Sequence, residues 1–175
     1  MHPSIVRGAI LWFAASRLFR PLWSEAILAE WEESLRRRFP DLAADHFQRQ
    51  RAYMDSFGEA LVEDYEPLMP ALALPDPKDI HVLAAAIHGR ADAIVTHNLK
   101  DFPVEVAARH GIEVKHPDFI VNVIDLDTAK GLPAIGSQRR QFRNPAVTAE
   151  DYLDRFRKSG LVQASHRLQP LVELF

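Results

Sequence analysis

Two short runs carry the residue types that do hydrolytic chemistry. Asp76-Pro77-Lys78-Asp79 reads as an acidic helix start. Asn98 and Asp101 follow directly on Ala93–Thr96, an apolar run that reads as a buried strand. In an open α/β sheet, ligands bind outside the carboxyl ends of the strands. Polar groups just after a strand can meet a carboxylate from a neighbouring helix start. Oxygen donors gathered in that way suit a hard divalent cation. Each acid also has an ordinary structural role. Asp76 and Asp79 are what a helix start wants, capping free N–H groups at the positive end of the dipole. Asp101, shortly before Pro103, suits a turn. Asn98 offers a carbonyl oxygen but no charge. Thr96 and His97 stand beside it, and His97 is placed to touch a substrate. A lone histidine is usually no ligand, and His81 has less claim than His97.

The elements that must position these residues alternate between helix and short strand. Pro3 opens a helix that ends near Arg17–Arg20. Ser24 is a good N-cap, and Glu25–Arg38 is rich in helix formers. Leu42–Phe57 reads as another helix and Ala60–Val62 as a short strand. Glu66–Pro75 holds three prolines and cannot be regular helix. Pro77 sits at the first position of a helix that runs to about His88, with Gly89 as its stop. Then come strand Ala93–Thr96, helix Pro103–His110 and strand Ile112–Lys115. Helix and strand alternating through short links predict an α/β fold, a parallel sheet flanked by helices. Beyond Pro117 the pattern is helical only. Asp118–Asp127 is apolar-rich, Gly131–Pro133 is expected to break it, and Asn144-Pro145 marks a turn. Thr148–Asp151 starts a helix that Ser159-Gly160 ends, and Leu161–Phe175 reads as one more. The expected division is an α/β domain over 1–116 and a helical extension over 117–175.

Composition narrows the class. The chain has 175 residues, 47% hydrophobic and 26% charged, as in a soluble globular domain. Its net charge of −3 supplies no global basic field for nucleic acid, so any such contact needs a local patch. The cluster Arg139, Arg140 and Arg143 is one candidate, and a solvated helix face is its plain alternative. No cysteine is present, which excludes thiolate zinc sites and fits a reducing cytoplasmic setting. The apolar run Gly8–Ala15 after Arg7 has the outline of a signal peptide, but it also reads as a buried helix. It is far too short to span a bilayer, so no membrane role is expected. Trp12, Trp23 and Trp31 read as core or interface.

The stretch Asp79, Val82–Ile87 and AD-x-IVT-x-N-xx-DFP at Ala91–Pro103 resembles the PIN-domain family of metal-dependent ribonucleases. That family includes VapC-like toxins of toxin–antitoxin pairs. A looser likeness covers Arg20–Trp31 and the C-terminal helices. The resemblance implies that Asp79 binds metal and that Asp101 is the acid after the strand. It implies that Glu30, closing Ile27-Leu28-Ala29-Glu30, is the second acid. From spacing alone Glu30 belongs to a solvated face, since Glu25, Glu32 and Glu33 share its helix. Glu30, Asp79 and Asp101 would hold Mg²⁺ or Mn²⁺ for hydrolysis of RNA phosphodiesters. Clustered carboxylates repel, so the site should hold raised pKa values until metal arrives. Expected partners are an RNA substrate, a cognate antitoxin protein and a second copy of the chain. Relatives pair through helices, which points to Ile5–Phe13 as the pairing face.

One feature departs from the family. PIN domains begin with a central strand ending in a first Asp. Here Met1–Ser16 already reads as the first helix, and residues 1–20 contain no Asp or Glu. The expectation is an N-terminally truncated sheet, two strand pairs without their shared neighbour, and impaired catalysis. The alternative function is a non-catalytic PIN remnant that binds protein or RNA. A phosphotransfer domain using the same acids is disfavoured, because no early strand offers a nucleophilic Asp.

Overall fold

The computed structural model describes residues 3–41 and 43–175. The helices are α1 (Pro3–Ala15), α2 (Glu25–Arg38), α3 (Ala44–Asp55), α4 (Ile80–His88), α5 (Val104–Ala108), α6 (Ile120–Leu126), α7 (Thr128–Arg139), α8 (Ala149–Lys158) and α9 (Val162–Leu168). The strands are β1 (Ala93–Val95) and β2 (Glu113–Lys115). The expected start of the third helix at Leu42 lies outside the described residues. The chain forms two units. One joins the stretch up to Arg20 with Lys115–Phe175, and the other is Pro21–Val114. Among the described residues, no helix is long and apolar enough to cross a membrane.

In the unit Pro21–Val114, local chemistry sets the helix starts. Buried Ser24 accepts a hydrogen bond from Ile27 N at 3.3 Å and opens α2. Asp76 accepts one from Lys78 N at 3.0 Å and opens a 3-10 turn, Pro77–Asp79, that leads into α4. α4 reads Ile-His-Val-Leu-Ala-Ala-Ala-Ile-His, and its alanines allow close packing on two sides. Ala84 and Ala85 pack with Val62, Tyr65 and Leu22. Leu83 and Ala86 pack with Ile94, Phe102, Ala107 and Ile112. Gly89 ends the helix where a Cβ would meet Val62 Cγ2 at 2.9 Å and Leu22 Cδ1 at 3.0 Å. Any side chain there would drive the backbone off its neighbours.

β1 and β2 form a small parallel sheet joined through α5, as the alternating pattern predicts. The expected strand Ala60–Val62 shrinks to a single parallel bridge between Trp23 and Leu61. Trp23 N donates to Ala60 O at 2.9 Å, and Val62 N donates to Trp23 O at 2.8 Å. Left-handed backbone at Gly58 and Asp64 turns the chain on both sides and stops the ladder from growing. Among the described residues, no strand hydrogen-bonds these two pairings together, and α4 packs against both.

In the other unit, α1 shares one core with α6–α9. Ile5, Val6, Ala9 and Phe13 recur on one helical face and pack with Ile124, Ile135, Tyr152, Phe156, Leu161 and Leu168. The run Ile5–Phe13 is therefore core rather than an exposed pairing face. Gln138 and Asp118 are polar side chains buried here, and both are paired. Gln138 donates to Ile5 O at 2.7 Å and accepts from Tyr152 OH. Asp118 accepts from the first free N–H groups of α9, Gln163 N at 2.8 Å and Ala164 N at 3.0 Å. α7 runs through Gly131 and Pro133, against the expected break. A Cβ on Gly131 would lie 3.2 Å from Ile124 Cα, so glycine there serves close packing of α6 on α7. That packing offsets the one helical hydrogen bond lost at Pro133. The final helix stops at Leu168, and Pro170 turns the rest into a 3-10 segment, Gln169–Leu174.

Candidate active site

Glu30, Asp79 and Asp101 all lie in the unit Pro21–Val114. Glu30 projects from α2 and is exposed, while Asp79 and Asp101 are half-buried at their helix start and post-strand turn. Asp79 is the N-cap residue of α4, yet its side chain accepts no capping hydrogen bond. The capping role falls to Asp76, through Lys78 N. The ordinary explanation for an aspartate at this position is thus taken by its neighbour.

The electrostatics of Asp79 reveal its surroundings. Burial lifts its carboxyl above the ordinary carboxylate range. The negative charges of Asp76, Asp101 and Glu30 lift it further, and His81 pulls the other way. Like charges act on one another in this way across partly desolvated surroundings. Of the four glutamates on α2, Glu30 is the one that acts on Asp79. The three acids named from the sequence therefore share one electrostatic neighbourhood.

The two outer acids are each held by a hydrogen-bond donor. Asn98 Nδ2 donates to Asp101 Oδ2. The Asn98 backbone N in turn donates to Thr96 Oγ1 at 3.0 Å, which folds the turn after β1. Asn98 thus orients an acid. His97 is exposed in the same turn. On the other side His81 Nε2 lies 3.2 Å from Glu30 Oε1. A carboxylate can only accept, so Nε2 carries the proton of that bond. His81 is buried, and its Nδ1 has no hydrogen-bond partner. The ring thus donates to Glu30 through Nε2. Sequence reasoning gave His81 little weight, because nothing local marks a partner 51 residues away.

Two other candidates resolve differently. Arg139 donates to Val147 O at 2.9 Å and to Phe175 O at 3.1 Å, so it ties the chain together. Arg140 donates to Ser137 Oγ. Trp23 is buried and meets Phe57 edge-on at 5.7 Å, the core role expected of it.

Among the described residues, no three His, Cys, Asp or Glu side chains form a ready metal cage. The donor chemistry nevertheless fits one class of ion. Mg²⁺-like cations are commonly held by only one or two carboxylates, and keep waters or substrate phosphates as their other ligands. Burial and the neighbouring negative charges both disfavour ionisation of Asp79, and a cation placed there would relieve that repulsion.

Comparison with known proteins bears on the family. Residues 3–100 match the PIN domain family, and residues 117–170 match the VapC50 C-terminal domain family. The first match takes in Glu30, Asp79 and Asn98, and stops one residue short of Asp101. A protein of Mycobacterium tuberculosis named "Putative ribonuclease VapC50" is 38% identical over 78 residues, 44% of this chain and 46% of that protein. The chain thus matches less than half the length of this curated relative. No solved structure matches. With more than half of its length matched, and with the acids in one neighbourhood, this chain belongs to the PIN-domain family, of VapC-like type.

Proposed function

We propose that the chain is a metal-dependent endoribonuclease, the toxin of a toxin–antitoxin pair, with Glu30, Asp79 and Asp101 as its catalytic and metal-holding acids. The observation that carries this reading is Asp79. It does no capping work and sits in the combined field of Asp76, Asp101 and Glu30. Carboxylates in mutual repulsion lower stability, and a bound cation gives that arrangement a purpose. PIN-domain ribonucleases generally use divalent metals. Here the ion would be Mg²⁺ or Mn²⁺, given an all-oxygen donor set with no cysteine.

When bound, the ion supplies an activated water and offsets charge on the phosphate oxygens. The chain's own residues do the rest. Asp79 and Asp101 anchor the cation side of the site, and Asn98 keeps Asp101 oriented through its amide. Thr96 shapes the turn that presents Asn98, and His97 is placed to contact the RNA backbone. An antitoxin protein would be the natural partner, a second copy of the chain a further one, and the cytoplasm the setting.

One observation favours a second reading, a non-catalytic module that binds RNA or protein. Glu30 and Asp101 are already engaged by His81 and Asn98, and no three-residue cage stands ready among the described residues. Cleavage assays on structured and single-stranded RNAs separate the two. The ribonuclease reading expects cleavage with Mg²⁺ or Mn²⁺ that EDTA abolishes. Asp79→Asn and Asp101→Asn should each lose more than the ~10–100-fold typical of an outer partner. Cleavage that survives EDTA or both substitutions overturns it. RNA or antitoxin binding without cleavage establishes the second reading instead.

A further inference from the structure

We propose that His81 is a positioning residue for Glu30, a buried imidazole that fixes an exposed acid for its work on the cation. This rests on the reading of Glu30 as a metal-holding acid. The geometry is asymmetric. The Glu30 side chain is 58% exposed and that of His81 is 10% exposed, with 3.2 Å between Oε1 and Nε2. A glutamate on a helix surface samples many rotamers, and ordering it is entropically costly. His81 is already ordered by burial on α4, so it can lend that order through one hydrogen bond. It engages Oε1 of Glu30 and leaves the other carboxylate oxygen for a cation.

The chemistry of the ring excludes a more direct role. Nε2 is committed to Glu30, and Nδ1 is buried with no partner. Neither nitrogen is presented to a substrate. His81 therefore acts through Glu30, as an outer hydrogen-bond partner orients a ligating side chain in metal sites generally. It also links α4, which carries Asp79 at its start, to α2, which carries Glu30. Two acids 49 positions apart in the chain are thus set in register by a residue that touches one and follows the other by two.

The test is Mn²⁺ binding, followed by the electron paramagnetic resonance signal of free Mn²⁺, in the full chain. Wild type is compared with His81→Gln, His81→Leu, Glu30→Gln and the double variant His81→Leu/Glu30→Gln. Gln keeps an N–H donor near the Nε2 position, and Leu removes it. His81→Leu should weaken binding by ~10–100-fold, and His81→Gln should recover most of the loss. In the Glu30→Gln background, His81→Leu should add almost nothing, because the two act as one unit. Equal binding by wild type and His81→Leu overturns the proposal, and so do losses that simply add. Absence of Mn²⁺ binding in wild type is a different failure, because it removes the metal reading and the role of His81 with it. A second readout needs no metal. Nitrogen NMR of the imidazole should find a proton on Nε2, in a hydrogen bond that Glu30→Gln perturbs. A bare Nε2 would overturn the assignment even where His81→Leu folds poorly.

Discussion

Asp118 and Asp79 are the same residue type in similar local settings, each at a proline-marked helix start, and they do opposite things. Asp118 is 8% exposed and accepts two backbone N–H groups from the start of α9. Its charge is well solvated by the protein, so burial there stabilises the unit formed by α1 and α6–α9. Asp79 accepts no capping bond and stands among like charges. The difference teaches where to look for function. A carboxylate that the fold rewards with hydrogen bonds is structural, and one that the fold crowds with other carboxylates needs an outside ligand to explain it.

The comparison can be broken first at its stable end. Asp118→Ala removes two charge-assisted bonds and leaves two helix-start donors unmet. The expected cost is about 1.5–3 kcal/mol for a hydrogen bond to a charged group. At the few degrees per kcal/mol usual for this chain length, Tm should fall by roughly 5–10 °C. A thermal melt by circular dichroism that moves by less than about a degree would mean that the Asp118 bonds carry no stability.

The contrast also explains which parts of the molecule were legible in the sequence. Ser24, Asp76-Pro77, Gly89 and Thr148 are punctuation whose chemistry is local, and the helices they bound form where expected. The acids were legible because helix starts and strand ends put Asp79 and Asp101 at places a sheet uses for ligands. Contacts between distant residues were not legible. Gly131 and Pro133 read as a break, and only packing of α6 on α7 explains their place inside a helix. Ile5–Phe13 read as a pairing surface because its partners in α6–α9 lie more than a hundred residues away in the chain. The strand Ala60–Val62 was overdrawn because turn geometry at Gly58 and Asp64, which limits it to one bridge, leaves little trace in composition. The Glu30–His81 bond is tertiary for the same reason.

A smaller effect sharpens the other end. The Asp79 pKa is raised in the folded chain, so its contribution to stability is fully present below the unfolded pKa. That contribution is lost as pH rises through the folded pKa. At neutral pH the ionised Asp79 is a liability. Asp79→Asn should therefore match or exceed wild type in Tm at pH 7 without added metal. The advantage should shrink as pH falls through the raised pKa and be gone below the ordinary carboxylate value of about 3.9. Paired melts across that range check the sign. A variant markedly less stable than wild type at pH 7 would make Asp79 a structural acid after all.

The central claim is that Asp79 holds a cation and Asp76 holds a helix. Titration calorimetry with Mn²⁺ on wild type, Asp79→Asn and Asp76→Asn tests it most directly, since Asn keeps capping ability while losing charge. The account predicts measurable binding by wild type and loss of at least about tenfold in affinity on Asp79→Asn, the order seen when a metal site loses a supporting group. Asp76→Asn should keep most of the affinity. Equal Mn²⁺ binding by wild type and Asp79→Asn, or a larger loss on Asp76→Asn, would contradict it.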